Sequence, residues 1–587
     1  MWLISPLKVS AQSIPVRNAV TKALPMLQKS AAEFVAKRSC VSCHHNALTI
    51  LTLDSARAHG FNIDETVLKA VEDKTFRELT GPGAADDAVQ ATTLNDPTPD
   101  DSYLLMAAHD AGLPRDLTTA AYAIRLARWQ RDGHWITSDF RPPHSSSLFM
   151  TTATAVRAIR SYMPEELQGE REAVLGRARQ WLFENHPIST EDAAFRLMGL
   201  VWSGAAREQL NAAQRDLLAL QKTAGGWPQL PGYEADAYST GEALVALHEA
   251  EVQTANPAFS KGLKFILSTQ APDGTWHVHT RMLSPADISP KYFATGFPYG
   301  KDEFLSYAGS SWAVMALLST LPETRQNSGA VPAEGGANTP AWLRTAMFGT
   351  ARELGSLLES GLDPNSKTKG GTTLLMASVL DPEKVQMLIA RGVDVKARSA
   401  SGHDALTIAA AYRGTSRSLQ LVLDAGAEAQ PAEGQRVRNT PLEFASMTGD
   451  LENVKLLLAR GAKPSEKALS QSVTFGYPDV VRLLIAAGAD VVGLKDGSGV
   501  NLLHWATITD RPALIPVLAE AHVPINEMDD NGFTPLMYAA TIDFGDDDVL
   551  KALLKAGADK TIRNLEGRTP LAQAKYYKHS HLEAALR

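Results

Sequence analysis

The chain has 587 residues, of which 44% are hydrophobic and 21% are charged, with a formal net charge of −8. This length predicts more than one domain, because single hydrophobic cores rarely grow beyond about 250–300 residues. No basic stripe with interleaved aromatic residues occurs, so nucleic-acid binding is disfavoured. No apolar run reaches the roughly 18–20 residues of a membrane-spanning helix, so no transmembrane segment is predicted.

Residues 1–25 are interpreted as the remnant of an export signal or as an N-terminal arm. Residues 2–7 are mostly apolar, and the following "VSAQS" is similar to a small-residue cleavage site. The apolar part is short and no positive charge precedes it, unlike in a complete signal peptide. The cysteine motif described next favours export, so we expect a periplasmic or secreted protein of bacterial type.

Both cysteines of the chain lie in "CVSCHH", at Cys40 and Cys43, and His44 follows directly. C-x-x-C-H is the attachment sequence of c-type haem, because two thiols add to the vinyl groups of haem while the next histidine binds the iron. The motif therefore predicts haem c, with Cys40 and Cys43 as thioethers and His44 as proximal ligand. Met106 and His109 are the candidates for the distal ligand.

Three other interpretations of the cysteine motif stay open. In an exported protein, the two cysteines could form a redox-active disulfide. A zinc site would use Cys40, Cys43 and either His44 or His45, together with a further ligand. The thiols could also be buried and inert. Met106 is equally compatible with core packing, and His45 with a helix cap or a solvated side chain.

A repeat of about 45 residues runs through the N-terminal half. Three copies share a helix end, a glutamine, a glycine turn and a tryptophan: "LARWQRDGHW" at 126–135, "LLALQKTAGGW" at 217–227 and "LKFILSTQAPDGTW" at 263–276. More apolar helices are predicted to start near positions 46, 101, 147, 192, 236 and 306. Helical hairpins at this near-constant spacing predict a closed ring of paired helices around an apolar barrel.

The glutamine–glycine–tryptophan pattern resembles the QW motifs of the squalene–hopene cyclase and protein prenyltransferase superfamily. The matching residues are Gln130, Gln221, Gln270, Trp135, Trp227 and Trp276. The resemblance implies an (α/α)6 toroid, to which we assign residues 26–320. It does not extend to the chemistry, because the D-x-D-D proton donor of the cyclases is missing and the cysteines lie far from the zinc position of the prenyltransferases.

Polar residues near the starts of the predicted inner helices form a further candidate site. In a ring they would surround one mouth of the central cavity, where acids and tyrosines can bind sugars or peptides. The same residue types also make ordinary helix caps and first-turn acids. The residues are Asp101, Tyr103, His144, Asp192, Asp236, Tyr238 and Tyr307.

Residues 321–340 are rich in Pro, Gly, Ala and polar residues without a hydrophobic period, which predicts a linker. Residues 341–587 then repeat at about 33 residues, with two markers in phase. One marker is a T-P-L segment that opens a helix, as in "TPLEFA" and "TPLMYA". The other is an apolar helix that ends in glycine, as in "LIARGVDVK". His522 replaces the glycine in one copy.

This second pattern resembles the ankyrin repeat, with about seven copies. The resemblance implies a stack of helix pairs that binds a protein partner. His504 stands at the position of a structural, hydrogen-bonding histidine, and each terminal glycine is expected in the left-handed conformation. No catalytic constellation is predicted in this half.

The sequence therefore predicts an all-α protein, an (α/α)6 toroid followed by an ankyrin-repeat solenoid. The first functional hypothesis is an exported haem c protein for electron transfer or redox sensing, whose ankyrin repeats dock a protein partner. The second is a toroid enzyme or binding protein for a polycyclic lipid or glycan, for which no catalytic residue is predicted. The third is a non-catalytic scaffold for protein interactions.

Overall fold

The computed structural model describes residues 13–38, 44–94, 96–139, 141–281, 294–324, 339–431 and 437–587. Its first half is built from helices, with one short antiparallel pair of strands, β1 (Trp227–Pro228) and β2 (Ala235–Asp236). The helices are α1 (Ser13–Lys37), α2 (His44–Ala58), α3 (Glu65–Thr75), α4 (Arg77–Thr80), α5 (Ala84–Val89), α6 (Ser102–Asp110), α7 (Leu117–Trp129), α8 (Leu148–Tyr162), α9 (Gln168–Glu184), α10 (Thr190–Trp202), α11 (Arg207–Ala219), α12 (Ala237–Glu249), α13 (Pro257–Thr269) and α14 (Glu303–Leu318).

Six of these helices pack against one another in a closed cycle. In order around the cycle they are α2, α6, α8, α10, α12 and α14, and α14 packs on α2 again. Small residues allow close approach: a Cβ at Gly199 of α10 would lie 2.9 Å from the Cβ of Ala153 in α8. The helices α1, α3, α7, α9, α11 and α13 pack on the outside of this cycle. We call the assembly the ring.

The three repeated tryptophans are buried between the inner and outer helices of the ring. Each donates its indole N–H to a backbone carbonyl of the preceding outer helix: Trp135 to Leu126, Trp227 to Leu217 and Trp276 to Ile266, at 2.7–2.8 Å. A buried indole needs such a partner, because an unsatisfied polar group costs free energy in a dry core. Each repeat therefore uses a large apolar side chain that also carries one hydrogen-bond donor, which explains why tryptophan recurs at this position.

The repeated glutamines join neighbouring outer helices. Each side-chain amide donates to a carbonyl in its own glycine turn and to a second carbonyl in the next outer helix. The second acceptor is Val174 in α9 for Gln130, Ala258 in α13 for Gln221 and Ala19 in α1 for Gln270, at 2.8–2.9 Å. The last of these bonds connects α13 to α1 and so joins the two ends of the ring.

Residues 341–586 form eight helix pairs in the described part of the chain. The first helices are α15 (Ala341–Phe348), α17 (Leu374–Ala377), α19 (Ala405–Ala410), α21 (Pro441–Thr448), α23 (Glu466–Thr474), α25 (Leu502–Ile508), α27 (Pro535–Thr541) and α29 (Pro570–Tyr577). The second helices are α16 (Ala351–Glu359), α18 (Pro382–Ala390), α20 (Ser416–Asp424), α22 (Leu451–Ala459), α24 (Pro478–Ala486), α26 (Leu514–Glu520), α28 (Asp548–Lys555) and α30 (Ser580–Leu586).

The terminal glycines of the second helices have positive φ angles, from 74° at Gly392 to 104° at Gly361, as the sequence predicts. His522 takes the same left-handed conformation, with φ 62°. The described residues contain eight helix pairs beside the expected seven or so repeats, because the last pair, α29 and α30, lacks the glycine marker. Among the described residues, no helix combines the length and hydropathy of a membrane span.

Candidate functional site

The eight helix pairs of residues 341–586 pack on the ring through one side. This side, which we call the first-helix face, consists of the first helices of the pairs and the turns on either side of them. In solenoid proteins the concave surface is the usual binding surface. Its contacts with the ring run from the first helix pair to the seventh.

The second and third repeats receive Asp86 and Gln90 from the end of α5. Asp86 accepts hydrogen bonds from the hydroxyls of Thr368 and Thr372. The Gln90 amide donates to Thr372 Oγ1 at 2.7 Å, and its backbone carbonyl lies 2.8 Å from Nδ1 of His403. Two residues of the ring thereby bind polar groups of two successive repeat turns.

The middle repeats contact the turn that follows α7. Trp129 packs edge-on against Phe475, with ring centroids 5.6 Å apart, and Arg131 stacks over Tyr477 at 5.2 Å. The Arg511 guanidinium donates to the carbonyl of Thr137. These contacts combine apolar burial with cation–π and hydrogen-bond geometry, so they favour one relative position of the two halves.

Asp543 of the seventh repeat is the most enclosed acid of this interface. Its carboxylate accepts a 2.6 Å hydrogen bond from Tyr233, lies 3.3 Å from Nε2 of His581 and 3.8 Å from the Arg281 guanidinium. Burial alone would raise the pKa of Asp543, but the neighbouring His581 imidazole and the charge of Arg281 outweigh it and hold the pKa well below its ordinary value. The buried carboxylate is therefore ionised and paired.

A second feature, inside the ring, is a cavity of about 540 Å³. All six inner helices contribute to its wall, with methionine and tryptophan side chains beside charged ones. Representative lining residues, one from each helix, are Asp54, Met106, Arg157, Met198, Glu249 and Trp312. The volume of the cavity and its mixture of apolar and charged lining residues are typical of a small-molecule pocket.

Several polar groups of the cavity wall pair with each other. Arg157 binds Asp110 at 2.7 Å, and the Trp202 indole donates to Glu249 at 2.9 Å. In contrast, the Trp312 indole N–H and one carboxyl oxygen of Asp54 are buried and have no hydrogen-bond partner among the described residues. Burial raises the pKa of Asp54 to about 7. Unpaired donors and acceptors at a cavity wall are available to a polar group of a ligand.

Nearer the start of the inner helices lies a group that we call the acid–tyrosine cluster: Tyr103, His144, Glu191, Tyr238 and Glu242. The Tyr238 hydroxyl lies 2.9 Å from Nδ1 of His144 and 3.3 Å from Glu191. Burial, followed by the charges of neighbouring acids, raises the pKa values of Glu191 and Glu242 well above their ordinary range. Burial thus favours the protonated form of both carboxyl groups.

The structure brings together three of the polar residues predicted at one mouth of the ring, namely Tyr103, His144 and Tyr238. Asp192 and Asp236 are instead N-terminal capping groups: Asp192 pairs with Ser189 at the start of α10, and Asp236 accepts the N–H of Ser239. Their capping role follows from the unpaired amides of a helix start.

The two other predicted mouth residues have separate partners. Asp101 binds Arg125 through two bonds of 2.7 Å in the protein interior. Tyr307 stacks on His45, with ring centroids 3.8 Å apart. His45 is buried between Tyr307 and Phe34, so the expectation of a capping or solvated side chain at this position is wrong. Burial lowers the pKa of His45 to about 3.

The predicted haem cysteines, Cys40 and Cys43, lie outside the described residues, as does the side chain of His44. Met106 and His109 both line the ring cavity, and His109 meets Tyr162 edge-on at 6.2 Å. Their role as distal ligands stays a prediction.

Comparison with known proteins identifies most of the second half. Residues 375–468 and 469–564 match the family described as ankyrin repeats (3 copies). This region therefore consists of ankyrin repeats, a class that binds protein partners. His504 has the structural role predicted for it, bridging Asn501 at 2.8 Å and the carbonyl of Phe533 at 2.9 Å.

Three relatives illustrate the similarity. The human transient receptor potential cation channel subfamily A member 1 is 27% identical over 250 residues, which cover 39% of this chain and 22% of the channel. An ankyrin repeat-containing protein of Treponema pallidum is 34% identical over 119 residues, 20% of this chain and 39% of that protein. NF-kappa-B inhibitor delta of Mus musculus is 29% identical over 215 residues, 35% of this chain and 62% of the inhibitor. The chain spans less than two thirds of each relative.

Proposed function

We propose that this protein is a non-catalytic scaffold for protein interactions. Its ankyrin repeats hold the ring on their first-helix face and bind a protein partner through the surface that remains uncovered. The interface between the ring and the ankyrin repeats supports this assignment of the two surfaces. Residues from Asp86 to Arg281 of the same chain fill the face that a solenoid usually offers to a partner.

The uncovered surface has exposed apolar side chains on the turns of three successive repeats. Val492 is 45% exposed, Met528 48% and Leu565 78%. Leu565 lies against Gly532 of the preceding turn, since a Cβ built at Gly532 would stand 2.6 Å from Leu565 Cγ. Large apolar side chains that gather on a protein surface are typical of interaction sites. We assign the partner to these turns.

The test is affinity capture after cross-linking in the source cells, with three forms of the full chain. The wild type is compared with the double variant Met528→Ser/Leu565→Ser and with Phe183→Ser, a matched control that removes an exposed apolar side chain from the ring. A protein captured by the wild type and the control but lost from the double variant supports the proposal. A capture profile that is unchanged in the double variant contradicts it.

We also propose that the ring is an (α/α)6 toroid of the squalene–hopene cyclase and prenyltransferase type. The closed cycle of six inner helices and the bonds of the repeated glutamine and tryptophan residues support this assignment. A toroid of this kind has a central cavity, and the cavity of about 540 Å³ favours a second function, the binding of a polycyclic amphiphile.

Isothermal titration with deoxycholate, a polycyclic amphiphile, tests the second function. Met198→Trp should fill part of the cavity and weaken binding. Met528→Trp adds the same side chain on the ankyrin surface and serves as the control. Equal binding by both variants would show that the amphiphile binds outside the cavity. If the wild type does not bind deoxycholate, the second function is contradicted.

Haem c attachment is a separate proposal, supported by "CVSCHH" alone. Cys40 and Cys43 would carry the thioethers, and His44 would bind the iron. Expression in a host with haem c maturation, followed by a haem-stained denaturing gel and an intact mass, tests it. A gain of one haem that is lost in Cys40→Ala supports attachment, whereas an apo mass contradicts it.

A further inference from the structure

The segment that follows Trp276 presents two histidines on one side. Residues 277–279 belong to neither a helix nor a strand, and Val278 stands between the two histidines. Val278 is fully buried, and its backbone N–H donates to Ser306 Oγ at 3.0 Å. His277 and His279 both face away from the core, with side chains 39% and 81% exposed.

Asp302, at the start of α14, lies directly opposite the two imidazoles. Its Oδ2 atom is 2.9 Å from Nε2 of His277 and 3.0 Å from Nδ1 of His279. Its other oxygen, Oδ1, accepts the backbone N–H of Thr280 at 3.1 Å. The carboxylate is only 7% exposed and has a fixed orientation, with one oxygen directed at both histidines.

The three potential donor atoms lie within 4.8 Å of one another. Nitrogen and oxygen ligands stand about 2.0–2.2 Å from zinc, which places neighbouring ligands of a tetrahedral site about 3.3–3.6 Å apart. The two distances from Asp302 to the histidines are a few tenths of an ångström below this spacing. Two histidines and one carboxylate are a ligand set for Zn²⁺ or Fe²⁺, with the remaining positions taken by water.

We propose that His277, His279 and Asp302 bind a divalent transition metal with an open coordination position on the solvent side. This inference is independent of the scaffold function. It also differs from the zinc interpretation of Cys40 and Cys43, because the two sites share no ligand.

Neighbouring residues hold the ligands in place. The His277 ring stacks on Tyr299 with centroids 4.3 Å apart and 5° between the planes, and the Tyr299 hydroxyl lies 2.8 Å from that of Thr275. Gln229 donates to the carbonyl of His279 at 2.9 Å. The stacking restrains the His277 ring, and the bond from Gln229 restrains the backbone at His279. Tyr299 has a φ of 87°, a conformation seldom adopted outside glycine.

The test is a titration of the full chain, purified with chelator, using Zn²⁺ alone and calorimetry. The background carries Cys40→Ser and Cys43→Ser, which removes the other sequence-predicted zinc ligands. His279→Ala is the main variant, because its exposed side chain can be removed without disturbing the core. His186→Ala, at another exposed histidine, is the matched control.

We expect one Zn²⁺ per chain in the background protein and in the His186→Ala control. His279→Ala and Asp302→Asn should each weaken binding by at least about 10–100-fold, the loss that already follows removal of an outer partner. Co²⁺ in place of Zn²⁺ should give visible d–d absorption that disappears in His279→Ala. No binding by the background protein, or equal binding by the His279→Ala and His186→Ala proteins, would overturn the proposal.

Discussion

The hydroxyl of Tyr233 donates a 2.6 Å hydrogen bond to the carboxylate of Asp543, from a loop of the ring to the seventh ankyrin repeat. The two residues are 310 positions apart in the chain. Arg281 of the ring donates to the backbone carbonyl of Asp543 as well. The repeats and the ring are thereby joined at a buried, charged point in addition to the long series of contacts along the first-helix face.

Asp543→Ala should destabilise the protein strongly. The substitution leaves the Arg281 guanidinium buried without its carboxylate, a change that typically costs about 3–5 kcal/mol. Thermal unfolding of the variant should begin at a lower temperature than in Asp479→Ala, which removes an exposed acid from a second helix. Equal unfolding temperatures for the two variants would show that Asp543 contributes nothing to the interface.

Stability should also fall in acid through Asp543. Its folded pKa lies below its ordinary value of 3.8, so the ionised form stabilises the folded state at any pH above that value. As the pH falls below about 3.8, the unfolded chain takes up a proton first and this contribution is lost. The difference in unfolding temperature between wild type and Asp543→Asn should therefore narrow between pH 5 and pH 2.

Gln270→Ala should loosen the closure of the ring. The amide of Gln270 donates to the carbonyl of Ala19 in α1 and to that of Gly274, both at 2.9 Å. Loss of the two bonds should cost about 1–3 kcal/mol. Hydrogen exchange should accelerate in α1, and Gln253→Ala, at an exposed glutamine, should leave it unchanged. Unaltered exchange in α1 of the Gln270 variant would mean that another contact closes the ring.

The Asp101–Arg125 pair should behave as a buried ion pair rather than as part of a binding site. Arg125→Leu alone should cost about 3–5 kcal/mol, because it leaves Asp101 charged and enclosed. The double variant Asp101→Asn/Arg125→Leu should recover much of this loss. Denaturant unfolding of the two variants and the wild type measures the difference. A double variant that is less stable than Arg125→Leu would contradict this account.

Glu242 should make the protein less stable as the pH rises. Its two carboxyl oxygens are buried without a hydrogen-bond partner among the described residues, and burial raises its pKa well above the ordinary 4.5. Above pH 4.5 the unfolded chain loses a proton that the folded chain keeps, so the free energy of unfolding declines. Glu242→Gln should therefore raise the unfolding temperature at pH 8 by a few degrees and change it little at pH 4.

Much of the helical architecture could be predicted from the sequence. The T-P-L openings and terminal glycines recur in phase, and this pattern indicated the ankyrin pairs even where His522 replaces glycine. The final pair lacks that marker and was not counted. In the first half, the repeated Gln and Trp positions reflect local bonds to carbonyls a few residues away or in the adjacent helix, which a repeat pattern can reveal.

The candidate sites were less predictable. Asp86 and Asp543 bind residues hundreds of positions away, and no local pattern distinguishes them from solvated acids. The "HVH" alternation at 277–279 was visible, but the third group, Asp302, follows only after an inserted segment. Asp192 and Asp236 do lie near helix starts, as the sequence predicts. There they bind backbone N–H groups, a role that the sequence alone does not distinguish from ligand binding at the mouth of the ring.

The most direct test of the central claim is a cleavage experiment between the two halves. Residues 327–333 are replaced by a specific protease recognition sequence, the full chain is cut, and the products are separated by gel filtration without denaturant. Because the ring fills the first-helix face of the ankyrin repeats, the two fragments should elute together, at the position of the intact 63.2 kDa chain. Elution as two separate fragments would contradict the account.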